Sequence, residues 1–206
     1  MPKLPTGDHK FYVGIDPGFT GAISCINAVG TTVKVWDMPI IKAVRLRRRE
    51  FDLNGLQAVF KHIRRFPDVV VGLEWPTTRP GEGAERCERF GRGKGILQAM
   101  LHVMKLEYYL ISPNLWKGRL GIPGKTNKDA NKLAAKLFDI YYAEYSHLLR
   151  GPRGGIKDGR ADACLIAHFL RTNTMTGMRS IVEKHGKNSA EALAFVLGSG
   201  RGKMRL

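Results

Sequence analysis

The run Val69-Val70-Val71-Gly72-Leu73 constrains the fold most strongly. It is apolar at every position, opened by the turn Phe66-Pro67-Asp68 and closed by Glu74. A strand that is apolar on both faces suits the centre of a sheet with helices on each side, where parallel strands sit. A second apolar run, Phe11-Tyr12-Val13-Gly14-Ile15, ends in the same manner, in Asp16 before Pro17-Gly18. Two strand ends therefore each deliver a carboxylate.

Around these runs the elements fall into a simple order. Residues 11–16, 20–28 and 32–37 read as three strands joined by short glycine-containing turns, which makes them antiparallel neighbours. The arginine-rich stretch 42–50 reads as an exposed loop or helix approach. Asp52 caps a helix to about Arg65, with Leu53, Leu56, Val59, Phe60 and Ile63 on one face. After the strand 69–73, residues 75–95 read as irregular and glycine-rich. A helix over 96–107, a strand over 108–111, and helices over 128–142 and 158–171 follow. The expected fold is α/β: a mixed five-stranded sheet, an antiparallel three-stranded meander plus parallel strands, flanked by helices. One domain over 11–171 is expected, with an extended N-terminus over 1–10. A basic tail over 172–206 is expected to hold one short helix near 189–197.

Composition narrows the partners. In 206 residues, 34 Lys and Arg face 18 Asp and Glu, a formal charge of +16. Such an excess favours a phosphate-rich partner, because neutralising phosphates releases counterions, with a salt slope of roughly −0.9 per contact on duplex DNA. No apolar stretch reaches the roughly 18–20 residues of a membrane span, and the first ten residues carry no secretory apolar region. Cys25, Cys87 and Cys164 show no zinc spacing and read as reduced thiols of a cytoplasmic protein.

Against that basic background four acids stand out: Asp16, Glu74, Asp158 and Asp162. Asp158 and Asp162 open the apolar helix 158–171 and, four apart, share one face. Carboxylates gathered at one site repel by about 4 kcal/mol per pair at roughly 4 Å and an effective dielectric near 20. A hard divalent cation relieves that repulsion, and Mg²⁺, with Mn²⁺ as substitute, takes oxygen ligands and leaves room for substrate phosphate.

These segments, in this order, resemble the RuvC-type Holliday-junction resolvases of the RNase H-like superfamily. FYVGIDPG at 11–18 resembles the strand carrying the first metal-binding Asp, here Asp16. VVVGLE at 69–74 resembles the strand carrying the catalytic Glu, here Glu74. FGRGKGILQAML at 90–101 is similar to the family's glycine-containing helix start. ISPNLWKGRLGIPGKTNK at 111–128 resembles the stretch bringing a basic residue to the scissile phosphate, matched best by Lys128, with Lys117 nearby. ADACLIA at 161–167 matches the closing helix and its Asp, here Asp162. The family spaces its last two acids three apart; here they are four apart, with Gly159 at the strict position. That spacing, the 79–95 insertion and the tail resemble a divergent phage or viral member.

The resemblance implies a divalent-metal endonuclease cutting four-way junctions, and also flaps or Y-forks, as a homodimer whose contact involves the helix from Ile96. Catalysis would fall to Asp16, Glu74, Asp158, Asp162 and Lys128, the four acids holding metal. Arg45, Arg47, Arg48, Arg49, Arg79, Arg86, Arg89, Arg92, Lys94, Lys117 and Lys125 would hold the DNA backbone. The cytoplasm, of a bacterium or of a phage's host, is the expected location. The aromatic rings of Trp75, Phe90 and Trp116 are candidates for stacking on splayed bases.

Two other readings compete. GIDPGFTG at 14–21 also resembles the first phosphate loop of actin-like and sugar-kinase-like ATP-binding proteins. The second such loop is missing, because Lys157-Asp158-Gly159 runs into an apolar helix. Gly124-Lys125-Thr126 fails as a P-loop, since Arg119 stands where the first glycine is required. A junction-binding protein without catalysis is the third reading.

Overall fold

A computed structural model describes residues 10–43, 48–76, 81, 83–122 and 127–172. The N-terminal segment, the tail with its expected short helix, and Arg45, Arg47, Arg79 and Lys125 lie outside the described residues, as do the side chains of Arg48 and Arg86.

Strands β1 (Phe11–Ile15), β2 (Ala22–Asn27) and β3 (Val33–Asp37) form the expected antiparallel meander. Strands β6 (Val69–Glu74) and β7 (Glu107–Ile111) extend it in parallel, giving a five-stranded sheet of order β3-β2-β1-β6-β7. Alternation along the two central strands builds two cores. Val13, Ile15, Val71 and Leu73 pack with Leu56 and Phe60 of α1 (Leu53–Ile63) and Leu97 and Leu101 of α2 (Ala84–Val103). Tyr12 and Val70 pack on the opposite side with Phe138 of α4 (Asn127–Tyr141) and Leu165, Ile166 and Phe169 of α5 (Asp158–Thr172). Two shorter elements lie among the described residues, α3 (Pro113–Arg119) and a 3-10 helix over Ala143–Leu149.

Three small residues lie side by side across the sheet under α5. Gly14 is paired with Ser24 on one side and Gly72 on the other. A Cβ on Gly14 would come within 2.1 Å of Ala163 O and 2.5 Å of Ala167 N. Ser24 Oγ donates to Ala163 O at 2.8 Å. The trough they form lets α5 approach at backbone distance, and this fixes where Asp162 emerges.

Three expectations are corrected. Within the stretch read as a loop or helix approach, residues 42–43 and 48–50 are strand: β4 (Ile40–Ala43) and β5 (Arg48–Phe51) form a separate antiparallel ribbon. Buried Phe51 anchors it, and the charged positions hide its strand character. Helix α2 begins at Ala84, inside the stretch read as irregular. Glycine costs a helix about 1 kcal/mol each, yet Gly93 is required, because a Cβ there would strike the Phe51 ring at 2.7 Å. Helix α3 was missed, although Ser112 caps it, accepting from Leu115 N at 3.3 Å with Pro113 next.

Candidate active site

Parallel pairing of Ile15 with Leu73 carries the next residues, Asp16 and Glu74, to the same sheet end. Asp16 is held by its own turn, its Oδ1 accepting from Gly18 N at 3.1 Å. The third segment arrives through a backbone contact. Gly21 and Gly159 form an isolated parallel bridge, and a Cβ on Gly159 would sit 2.2 Å from Thr20 O. The start of α5 thus lies directly against the turn that follows Asp16, and Asp162 joins the cluster one turn later.

The three acids feel one another. Burial pushes the Asp16 carboxyl up to about 6; the Gly18 amide opposes this, Asp162 and Asp158 add to it, and Lys117 resists. Glu74 is pushed up to about 8 by burial and then by Asp16, against a hydrogen bond from Trp116. Asp162 is raised by burial, with Lys117 opposing and Asp158 reinforcing. Asp158 is exposed at the rim, its Oδ1 accepting from Asn131 Nδ2 at 2.6 Å.

Two neighbours from α3 complete the site. Trp116 Nε1 donates to Glu74 Oε1 at 2.9 Å from a fully buried ring. Lys117 Nζ lies 3.7 Å from Asp162 Oδ2 and 4.9 Å from the Trp116 ring centroid. Trp116 is therefore committed to Glu74 and is not a base-stacking surface. Lys117 reaches inward to the carboxylates, while Lys128 lies exposed in the first turn of α4. The functional signal for both residues was the short helix itself, which delivers adjacent residues to one strand end.

The donor set suits a hard cation: carboxylate oxygens, partly desolvated, with their charges in mutual repulsion. Among the described residues no group of three or more His, Cys, Asp or Glu is arranged to hold a metal ion. Trp116 and Lys117 occupy part of the acids' bonding capacity instead.

The expected DNA-contacting residues divide. Arg49 and Arg89 are exposed beside a cavity of about 340 Å³ that begins at the Asp16 turn. Arg92 is paired with Glu50. Lys94 points inward, donating to Pro76 O at 3.0 Å with its ammonium 4.5 Å from the Trp75 ring centroid and 5.3 Å from that of Phe90. Burial lowers its pKa, so it braces the chain after Glu74.

A mixed five-stranded sheet with helices on both faces and acids at adjacent strand ends is an RNase H-like fold. More closely, it is the fold of the RuvC-type resolvases. Thermus thermophilus RuvC matches at TM-score 0.52 and 18% identity, over 82% of this chain and 96% of that one. The T. thermophilus RuvC complex with Holliday junction substrate matches at 0.54 and 16%, with the same coverage. The yeast mitochondrial Holliday junction resolvase Ydc2 matches at 0.53 and 17%, over 93% of this chain and 86% of that one. No family model matches the sequence, and no curated protein matches it significantly. No helix among the described residues is long and apolar enough to cross a membrane.

Proposed function

We propose that this chain is a divalent-metal-dependent endonuclease that hydrolyses phosphodiesters in branched DNA, with four-way junctions as its main substrate. The observation carrying this reading is the convergence of Asp16, Glu74 and Asp162 from β1, β6 and α5 at one sheet end, each with its pKa raised. The net charge of +16 supports a polyanionic partner, and the fold is one that junction resolvases use.

Asp16, Glu74 and Asp162 would hold Mg²⁺ or Mn²⁺, with Asp158 joining from the rim. Bound there, the metal supplies Lewis acidity at phosphate and lowers the pKa of water. The chain's own residues do the rest. The Gly18 amide and Trp116 indole fix two carboxylates in place. Lys117 offsets their charge from within, and Lys128 approaches phosphate from the solvent side to steady its developing charge. Arg49 and Arg89 hold the DNA backbone without reading sequence. Two opposed cuts in a symmetric junction call for two equivalent sites, so the working unit is a twofold homodimer.

The deciding experiment incubates the protein with a four-way junction, a flap, a Y-fork and linear duplex, in Mg²⁺ and then in EDTA. Metal-dependent cutting of branched substrates supports the reading. Binding without cutting in any metal leaves a junction-binding protein, and ATP hydrolysis in its place favours the kinase-like alternative.

A further inference from the structure

Arg160 stands between Asp158 and Asp162 in the first turn of α5, yet it cannot share their task. At 3.6 residues per turn, a residue two places away lies on the opposite side of the helix. Its guanidinium is bound instead to Asp37, the last residue of β3. Nε donates to Asp37 Oδ1 at 2.6 Å and Nη2 to Oδ2 at 2.9 Å, a two-pronged pair. Nη1 donates to Leu148 O at 3.0 Å and to Arg150 O at 2.8 Å. Lys157, just before the helix, adds its ammonium to Asp37 Oδ2 at 2.7 Å.

Asp37 is itself fastened next to the site. It pairs with Ala22 across the β2–β3 ladder, and the following amide, Met38 N, donates to Gly21 O at 3.0 Å. Gly21 is the residue that bridges Gly159. The ion pair and the backbone bridge therefore hold the same turn of α5 at neighbouring points. The bridge alone is a weak hold, because neither glycine carries a side chain to lock it and the first amides of a helix lack partners within it. Lys157 and Arg160 also place positive charge at the end of α5 where the helix dipole disfavours cations. Asp37 offsets that charge from another strand. A pair this exposed contributes little to stability, but a fork that grips both carboxylate oxygens fixes direction as well as distance.

We infer that Asp37 and Arg160 form a clamp that positions the acids of α5, so that Asp37, an acid outside the metal-binding set, governs how well the site takes up a divalent cation and cuts. The inference rests on the proposed nuclease reading and adds two positioning residues to it. Both act through the backbone of residues 158–162 rather than on phosphate or metal. Loosening the clamp leaves the sheet and its cores intact and lets Asp162 drift relative to Asp16 and Glu74. A misplacement of about 1 Å is enough to cost about 100-fold in rate.

The test compares the full wild-type chain with Asp37→Asn, Asp37→Glu and Arg160→Lys. Mn²⁺ binding without DNA is titrated by calorimetry, and single-turnover cleavage of a four-way junction is followed across Mg²⁺ concentrations. Asp37→Asn weakens Mn²⁺ by about 10-fold, the lower end of the loss when groups behind metal ligands are removed. It slows cleavage by about 10- to 100-fold and raises the Mg²⁺ needed for half the maximal rate. Junction affinity in saturating Ca²⁺ holds, since no cation that meets phosphate is lost. Arg160→Lys keeps the charge but loses the fork and shows the same defects, whereas Asp37→Glu keeps both oxygens and recovers most of each. Asp37→Asn combined with Arg160→Lys adds little to either alone, as expected of partners in one contact. If wild type cuts junctions and these variants lose Tm alone, with Mn²⁺ affinity and Mg²⁺ dependence unchanged, the clamp is overturned and the nuclease reading stands. If wild type neither binds Mn²⁺ nor cuts branched DNA, the nuclease reading fails and this inference falls with it.

Discussion

The buried indole of Trp116 donates its N–H to Glu74 Oε1 at 2.9 Å, so a helix that follows β7 holds the carboxylate that ends β6. Trp116→Phe keeps the ring and removes the donor. A buried hydrogen bond to a charged group contributes about 1.5–3 kcal/mol, so single-turnover cleavage should fall by roughly 10- to 100-fold. Junction affinity in Ca²⁺ should change little. Equal losses in both would make Trp116 a packing residue only.

Asp16→Asn should abolish cutting and stabilise the metal-free protein. The Asp16 carboxyl titrates at about 6 when folded, against about 3.9 unfolded. The unfolded chain releases that proton first, so stability falls as pH rises between those values and the full penalty is present at neutral pH. Removing the charge should raise Tm in EDTA by a few degrees, at about 2–4 °C per kcal/mol for a chain of this size. Calorimetry near neutral pH checks the sign; a lower Tm would mean that burial and the neighbouring acids do not penalise the charged carboxylate.

Lys117 lies on the carboxylates and Lys128 does not share that burial. Lys117→Ala should lower cleavage by about 100-fold, the scale for one donor to developing charge. Lys128→Ala should cost about tenfold or less, with a shallower salt dependence of binding. The reverse order would make Lys128 the inner cation when DNA is bound.

Acid should loosen the seam between α4, α5 and the β2–β3 turn. Arg171 Nη1 donates to Tyr142 Oη at 2.7 Å, and the Tyr142 hydroxyl lies 2.8 Å from His168 Nδ1. Arginine can only donate, which leaves the tyrosine proton for a neutral imidazole. Burial, then Arg171, hold His168 down at about 4, against about 6.5 unfolded. Its contribution is therefore complete above about pH 6.5 and lost as pH falls toward 4, with a slope of up to about 1.4 kcal/mol per pH unit. Asp37 continues the loss at lower pH: hydrogen bonding from Arg160, with Lys157 helping, holds it down at about 2. Urea melts across this range should show the slope, and His168→Gln should flatten its upper part.

Gly159→Ala should separate the site. The new Cβ would lie 2.2 Å from Thr20 O and 2.5 Å from Gly21 Cα. Relief by moving α5 should cost about 1–3 kcal/mol and lower cleavage by about 100-fold through misplacement of Asp162. Melts and cleavage assays on the same preparation check both; an unchanged rate would show that the start of α5 does not set the site.

Strand ends were legible because burial writes apolar runs: Val69–Leu73 and Phe11–Ile15 announced both strands and the acids that end them. The β4–β5 ribbon was not legible, since it lies outside the main sheet and carries mostly charged residues around one anchor, Phe51. The first half of α2 was hidden by its glycines, of which the approach of the Phe51 ring explains Gly93. Lys94 read as a surface cation because charge says nothing about direction; Phe90 stands one turn before it on α2, but Trp75 reaches it from the segment after β6. Gly159, a departure from the resembled spacing, is what the backbone contact with Gly21 demands.

The trough of Ser24, Gly14 and Gly72 has a consequence for the order of events in the cell. Strand β1 is made early, but the helix that fills the trough and brings Asp162 is the last element among the described residues. Contacts between such distant segments form late, because a long loop must close before they gain anything. A growing chain would thus carry its basic, DNA-attracting surface before it can cut. On the proposed function, catalytic competence would begin only when α5 docks in the glycine trough.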